Sequence, residues 1–186
     1  MTKELAKNLL RPILTPLRPG NIVMFHIGRC GSTVLASLLD QHNKVMWASE
    51  FYVPIFRDWE RKNEGKEIAG DMPADAIVLL KQHMRKALHR YYGFEIKPFH
   101  LSLIGYHMDS FIKHLEEMKF SHYIILDRRN RLKKIISSVI AHQDRMRYHQ
   151  NKEARPRLKQ VNLDVDRVGI DYECKPLISF LADYDD

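Results

Sequence analysis

Asn21-Ile-Val-Met-Phe-His26 runs directly into Ile27-Gly-Arg-Cys-Gly-Ser-Thr33 and then into Val34-Leu-Ala-Ser-Leu-Leu39. The first run is short and continuously apolar between its ends, as expected of a strand covered on both faces. The last repeats its apolar residues at helical spacing, with Ser32 and Thr33 placed where hydroxyl side chains start a helix. Gly28 and Gly31 punctuate the join, so the unit reads as strand, tight loop, helix.

Working outward, Val45 to Trp47 reads as a short second strand ending at Ala48-Ser-Glu-Phe51, and Lys62 to Pro73, rich in charge and Gly, as a surface loop. Ala74 to Tyr91 has an amphipathic helical pattern, Gly93 to His100 an alternating strand pattern, and Asp109 to Met118 a second helical one. Tyr123-Ile-Ile-Leu-Asp127 is a clear strand. It is followed at once by Asn130 to Arg147, a helix with Ile135, Ile136, Val139 and Ile140 on one side and basic residues on the other. Strands alternating with helices predict an α/β fold: a P-loop-type, mainly parallel sheet flanked by helices in three layers, with ligands at the carboxyl ends of the strands.

The chain's 186 residues, 45% of them hydrophobic, suit a single domain over 1–186. Thirty Lys and Arg against 23 Asp and Glu leave a net charge of +7, which favours an anionic ligand. Cys30 and Cys174 alone cannot form the disulfide framework of a small secreted domain. Met1 to Arg18 mixes charge with Leu and Pro and lacks a signal peptide's apolar run. A soluble cytoplasmic protein without stable membrane insertion is the expectation. Asn151 to Lys159 is polar and basic, and a last apolar stretch, Val161 to Tyr184, stops abruptly near Asp186, which leaves a longer parent chain open.

A Gly-containing loop between a strand and a helix aims backbone N–H groups at one point, where the helix adds about half a positive charge. Gly28 and Gly31 allow unusual backbone, Ser32 and Thr33 add hydroxyl donors, and Arg29 adds a permanent cation. Cys30 reads as a small filler beside the anion. The loop is not a Walker A motif, because Gly31 stands where that motif needs Lys.

The segment Phe25-His-Ile-Gly-Arg-Cys-Gly-Ser-Thr-Val-Leu35 resembles the 5'-phosphosulfate-binding loop of the sulfotransferase family. A second element agrees: in Ile125-Leu-Asp-Arg-Arg-Asn-Arg-Leu-Lys-Lys-Ile-Ile-Ser137, Arg129 precedes Ser137 by eight residues, directly after a strand. An Arg fork and a Ser hydroxyl suit one phosphate, and the same Arg-Ser pair occurs in that family. The resemblance covers Asn21 to about Ala141 and is nearest to the bacterial and carbohydrate-acting branches. It implies 3'-phosphoadenylyl sulfate as the sulfuryl donor and adenosine 3',5'-bisphosphate as the product. By it, Gly28, Arg29, Cys30, Gly31, Ser32 and Thr33 hold the 5'-phosphosulfate, Arg29 meets the leaving oxygen, and Arg129 and Ser137 hold the 3'-phosphate.

Attack by a hydroxyl on sulfur needs a base. Glu50 is the first candidate, since it follows the second strand and is similar to the Glu base of the bacterial trehalose sulfotransferase branch. Lys97 can stabilise the sulfuryl oxygens, and His100 has an imidazole's aptitude for proton transfer; His26 reads as a core residue. The ten scattered His residues have no metal-ligand spacing, so no metal is expected.

Trp47, Phe51, Tyr52, Phe56 and Trp59 suit either an acceptor surface or the core; the acceptor is a small molecule, carbohydrate or lipid. Three alternatives stand beside this reading: a P-loop-like nucleotide kinase, disfavoured by the missing Lys; a nucleic-acid-binding module on the basic face of Asn130 to Lys159, which no nucleic-acid motif accompanies; and an inactive relative that keeps the nucleotide site, or a fragment lacking the region that closes over it.

Overall fold

The computed structural model describes residues 17–62, 75–143, 166, 168–170, 173–176 and 178–179. Contacts divide the chain into two compact units, Met1–Asp127 and Arg128–Asp186.

The first unit is built on a four-stranded sheet: β1 (Asn21–His26), β2 (Val45–Trp47), β3 (Tyr91–Ile96) and β4 (Phe120–Leu126), in the order β2-β3-β1-β4. Every pairing is parallel. The architecture is therefore α/β, with each strand's carboxyl end at one edge of the sheet. β1 lies between β3 and β4, and Val23 and Met24 are wholly buried. That position explains its unbroken apolar run.

The helices are α1 (Ser32–Asp40), α2 (Val53–Lys62), α3 (Ala76–Met84), α4 (Pro98–Leu103) and α5 (Met108–Glu117). Along β3 the side chains alternate. Tyr92, Phe94 and Ile96 enter the main core with Leu80 of α3 and Phe111 and Leu115 of α5. Gly93, Glu95 and then Lys97 take the other side, where Gly93 leaves room for the Trp47 ring from the adjoining strand. Phe94 meets Phe120 edge-on with ring centres 5.5 Å apart, a geometry that the ring quadrupoles favour.

Polar staples hold the unit's amino-terminal end. Asn21, buried, donates through Nδ2 to the Met118 carbonyl at 2.8 Å and accepts the Tyr92 N–H at Oδ1. Arg18 donates to the Met84 and Leu88 carbonyls at 2.7 and 3.2 Å. A guanidinium is favourable at carbonyls that a helix end leaves unpaired.

Several sequence expectations shift. Ala74 to Tyr91 is not one helix: α3 gives way to a 3-10 turn at Arg85–Ala87, Leu88 reverses the chain at φ 56°, and Tyr91 already belongs to β3. Pairing of Tyr91 with Val45 and Tyr92 with Asn21 overrides the helical pattern. The strand drawn from Gly93 to His100 ends at Ile96, because Pro98 has no N–H for a ladder and instead opens α4. His100 therefore sits on a helix. α2 arises in the stretch read only as an aromatic cluster and reaches the start of the expected loop at Lys62; it buries Phe56 at 5% exposure. The expected loop at Lys62 to Pro73 lies, beyond Lys62, outside the described residues, as do Asn151 to Lys159 and most of Val161 to Tyr184.

In the second unit, α6 (Arg131–Gln143) starts at Asn130, whose Oδ1 accepts the Lys133 N–H at 2.8 Å. Lys134, Ile135, Ser138 and Val139 are buried at helical spacing along one side. β5 (Val168–Ile170) and β6 (Glu173–Lys175) form an antiparallel pair. No helix among the described residues is long and apolar enough to cross a membrane.

Candidate functional site

Leaving β1, the chain turns through Gly28 at φ 78°, Arg29 at φ 52° and Gly31 at φ 94°. Left-handed backbone is open to Gly28 and Gly31 at little steric cost, and the Gly28 N–H turns back to His26 Nδ1 at 3.2 Å. For Arg29, with its Cβ, the conformation costs on the order of 1–2 kcal/mol, and strain of that kind concentrates at functional loops. Gly31 caps α1, its carbonyl accepting the N–H groups of Val34 and Leu35 at 3.0 and 3.2 Å. Thr33 is exposed, Cys30 half-buried, and Ser32 buried beside Glu95, whose ionised form it favours.

Two further strand ends meet this loop. After β2, Ser49 adopts φ 53° and delivers Glu50; after β3, the chain delivers Lys97. Lys97 Nζ lies 3.3 Å from Glu50 Oε1 and 3.5 Å from Oε2. The Lys97 stem also lies close against Gly28, its Cε 3.7 Å from where a β-carbon on that residue would stand. Glu50, Lys97 and the loop that follows β1 thus form one cluster. The two side chains are only 32% and 19% exposed, so their attraction is screened less than that of a surface pair.

Beneath them lies a buried polar layer that the sequence reading did not assign. Glu95, 3% exposed, accepts at Oε1 from Trp47 Nε1–H and from the Ser49 hydroxyl, both at 3.1 Å. Its Oε2 is 3.3 Å from His26 Nε2, which lies 4.0 Å from Glu50 Oε1. His26 Nδ1 accepts the Gly28 N–H at 3.2 Å, so the neutral ring carries its proton on Nε2. That Nε2–H finds no well-aligned acceptor; its approach to Glu95 is a close electrostatic contact with poor hydrogen-bond geometry. His26 was expected in the core, and it is buried, but among polar groups rather than apolar ones. A signal was present: Glu95 interrupts an aromatic strand two residues before Lys97.

Burial governs ionisation here. It pushes His26 down to about 4, with Glu50 opposing the shift and Lys97 adding to it. It pushes Glu95 up against the bonds from Trp47 and Ser49, and nearby Glu50 raises it further. His100, also buried, is held at about 4 first by burial and then by the Lys97 charge. Its Nδ1 accepts the Lys97 backbone N–H at 3.4 Å, and its ring packs on Phe56 and Phe99. His100 thus fixes the start of α4 just after Lys97.

His26, Glu50 and Glu95 place donor atoms within 4.8 Å of one another, the one such group among the described residues. The donor chemistry does not fit a divalent ion. With Nδ1 accepting from Gly28, the Nε2 lone pair is already protonated, and the Lys97 ammonium occupies Glu50.

Of the other sequence candidates, Arg129 is exposed and Ser137 half-buried on α6, both in the second unit. Tyr52 and Phe56 are core; Trp47 and Phe51 are partly buried. Comparison with known protein families, characterised proteins and solved structures gives no match for the chain.

Proposed function

We propose that the protein transfers a sulfuryl group from 3'-phosphoadenylyl sulfate to an acceptor hydroxyl of a small molecule, carbohydrate or lipid. The observation that carries this reading is the Glu50–Lys97 pair packed against Gly28, at the carboxyl ends of three parallel strands. In this reading β1, its loop and α1 form a P-loop-type unit. The loop from Gly28 to Thr33 and the Arg29 guanidinium take the 5'-phosphosulfate.

The acceptor oxygen attacks sulfur in line while its proton passes to the Glu50 carboxylate. A new O–S bond forms as the bond from sulfur to the bridging oxygen breaks, and that electron pair leaves with adenosine 3',5'-bisphosphate, neutralised by Arg29. Lys97 faces the sulfuryl oxygens. Drawing the ammonium toward the donor loosens its hold on Glu50, which exposes the base once donor is in place. His100 acts as a positioning group for Lys97, and its proton-transfer role gives way to Glu50. Residues alone supply this chemistry.

Calorimetric titration separates the reading from an ATP-dependent kinase. Adenosine 3',5'-bisphosphate should bind and ATP with Mg2+ should bind far more weakly. Arg29→Ala should weaken the bisphosphate by about tenfold to a hundredfold, the value of a charge-assisted contact. Preference for ATP, or an unchanged affinity in the variant, would reject the assignment.

A further inference from the structure

We infer that Glu95 is a positioning residue that ties the anion loop to the turn presenting Glu50, through His26 and Ser32 on one side and Trp47 and Ser49 on the other. Its role in transfer rests on the sulfuryl-transfer reading, but the tie itself does not.

The inference follows from which groups can only donate. Trp47 Nε1–H is a donor in every state, and His26, accepting from Gly28 at Nδ1, is a donor at Nε2. Both face the same buried carboxyl group, from opposite oxygens. Ser49, directly before Glu50, bonds to it as well, and Ser32, the first residue of α1, is buried beside it and favours its ionised form. Glu95 also donates its backbone N–H to the Ser49 carbonyl at 2.8 Å, which pins the turn a second time. The charged groups facing it are Glu50 and, one step further, Lys97. A carboxylate beside an anion site opposes anion binding by charge alone. A charge in that place is explicable when the geometry it enforces is worth more than the repulsion it adds.

That balance gives a test in which the two effects have opposite signs. Glu95→Gln keeps the shape and removes the negative charge. Either orientation of the amide sets its NH2 against a donor: Trp47 Nε1–H, which cannot accept, or His26 Nε2–H, which can accept only by moving its proton to Nδ1 and giving up the Gly28 N–H. Electrostatics alone says the variant binds adenosine 3',5'-bisphosphate more tightly; the positioning role says it binds about tenfold more weakly.

Nitrogen-15 NMR of the imidazoles gives a readout independent of any ligand. In the native protein His26 should carry its proton on Nε2, and in the variant it should shift toward Nδ1 while the Gly28, Ser32 and Ser49 amide signals move together. Equal or tighter binding by a folded variant overturns the inference. So does an Nδ1–H tautomer in the native protein, which decides the matter if the variant does not fold. Should the native protein fail to bind the bisphosphate while the NMR changes appear as stated, the tie stands and the sulfuryl-transfer reading falls.

Discussion

Acidification from about pH 7 to about pH 4.5 should cost this protein much of its stability, because His26 and His100 titrate at about 4 in the fold rather than at 6.5. As pH falls through the ordinary imidazole value, the unfolded chain takes a proton on each ring and the folded chain does not. In that window the unfolded state binds more protons, so stability falls with pH. Each ring contributes a loss of about 2.5 kcal/mol at the lower limit, roughly 5 kcal/mol together. Glu95, raised by burial, acts in the opposite sense: the fold accepts its proton before the unfolded chain does, which returns part of the loss. His83, lowered by burial, adds to the loss. A net fall of about 3–5 kcal/mol is large against the ~5–15 kcal/mol that holds an ordinary domain. Urea unfolding followed by circular dichroism across this pH range measures it, and His100→Gln should remove roughly half of the slope. A stability that stays flat from about pH 6.5 to about pH 4.5, or a slope unaltered in the variant, would refute the reasoning about buried neutral imidazoles.

Two further outcomes are expected. Glu50→Gln should leave bisphosphate affinity within a fewfold of native while lowering turnover by about a hundredfold to ten-thousandfold, the usual worth of a general base; native turnover in a sulfuryl-transfer assay would remove Glu50 from that role. Gly93→Ala should lower stability by about 1–3 kcal/mol, because its new methyl group meets the Trp47 ring on the neighbouring strand, and thermal melting with Trp fluorescence reports both effects. An unchanged melting temperature would show that the ring moves aside without cost.

The alternation of strand and helix was legible because its signals are local. β1 occupies a sheet centre, so its residues must be apolar on both faces, and the span from Asn21 to His26 was read at its true limits. β2 likewise matched at Val45 to Trp47. Boundaries failed where long-range pairing competed with a local pattern: the helical reading to Tyr91 stops at Met84, Arg85–Ala87 form a 3-10 turn, and Tyr91 pairs with Val45 of β2. The segment around Tyr52 showed aromatic residues but not whether they faced a ligand or the core, because composition carries no direction.

Glu50 and Lys97 could each be singled out from the chain by chemistry and by position after a strand. That they form a pair against Gly28 was decided by the sheet order, which sets three distant strand ends side by side. Of the buried layer beneath them the chain shows only Glu95 interrupting an aromatic strand; its partners were decided by tertiary structure. Met24 pairs with Glu95 across β1 and β3, and this register brings His26, Trp47 and Ser49 to one carboxylate from segments up to about seventy residues away. A sequence states which groups can donate or accept; only the register of the strands determines which of them meet and, through burial, which charges they can hold.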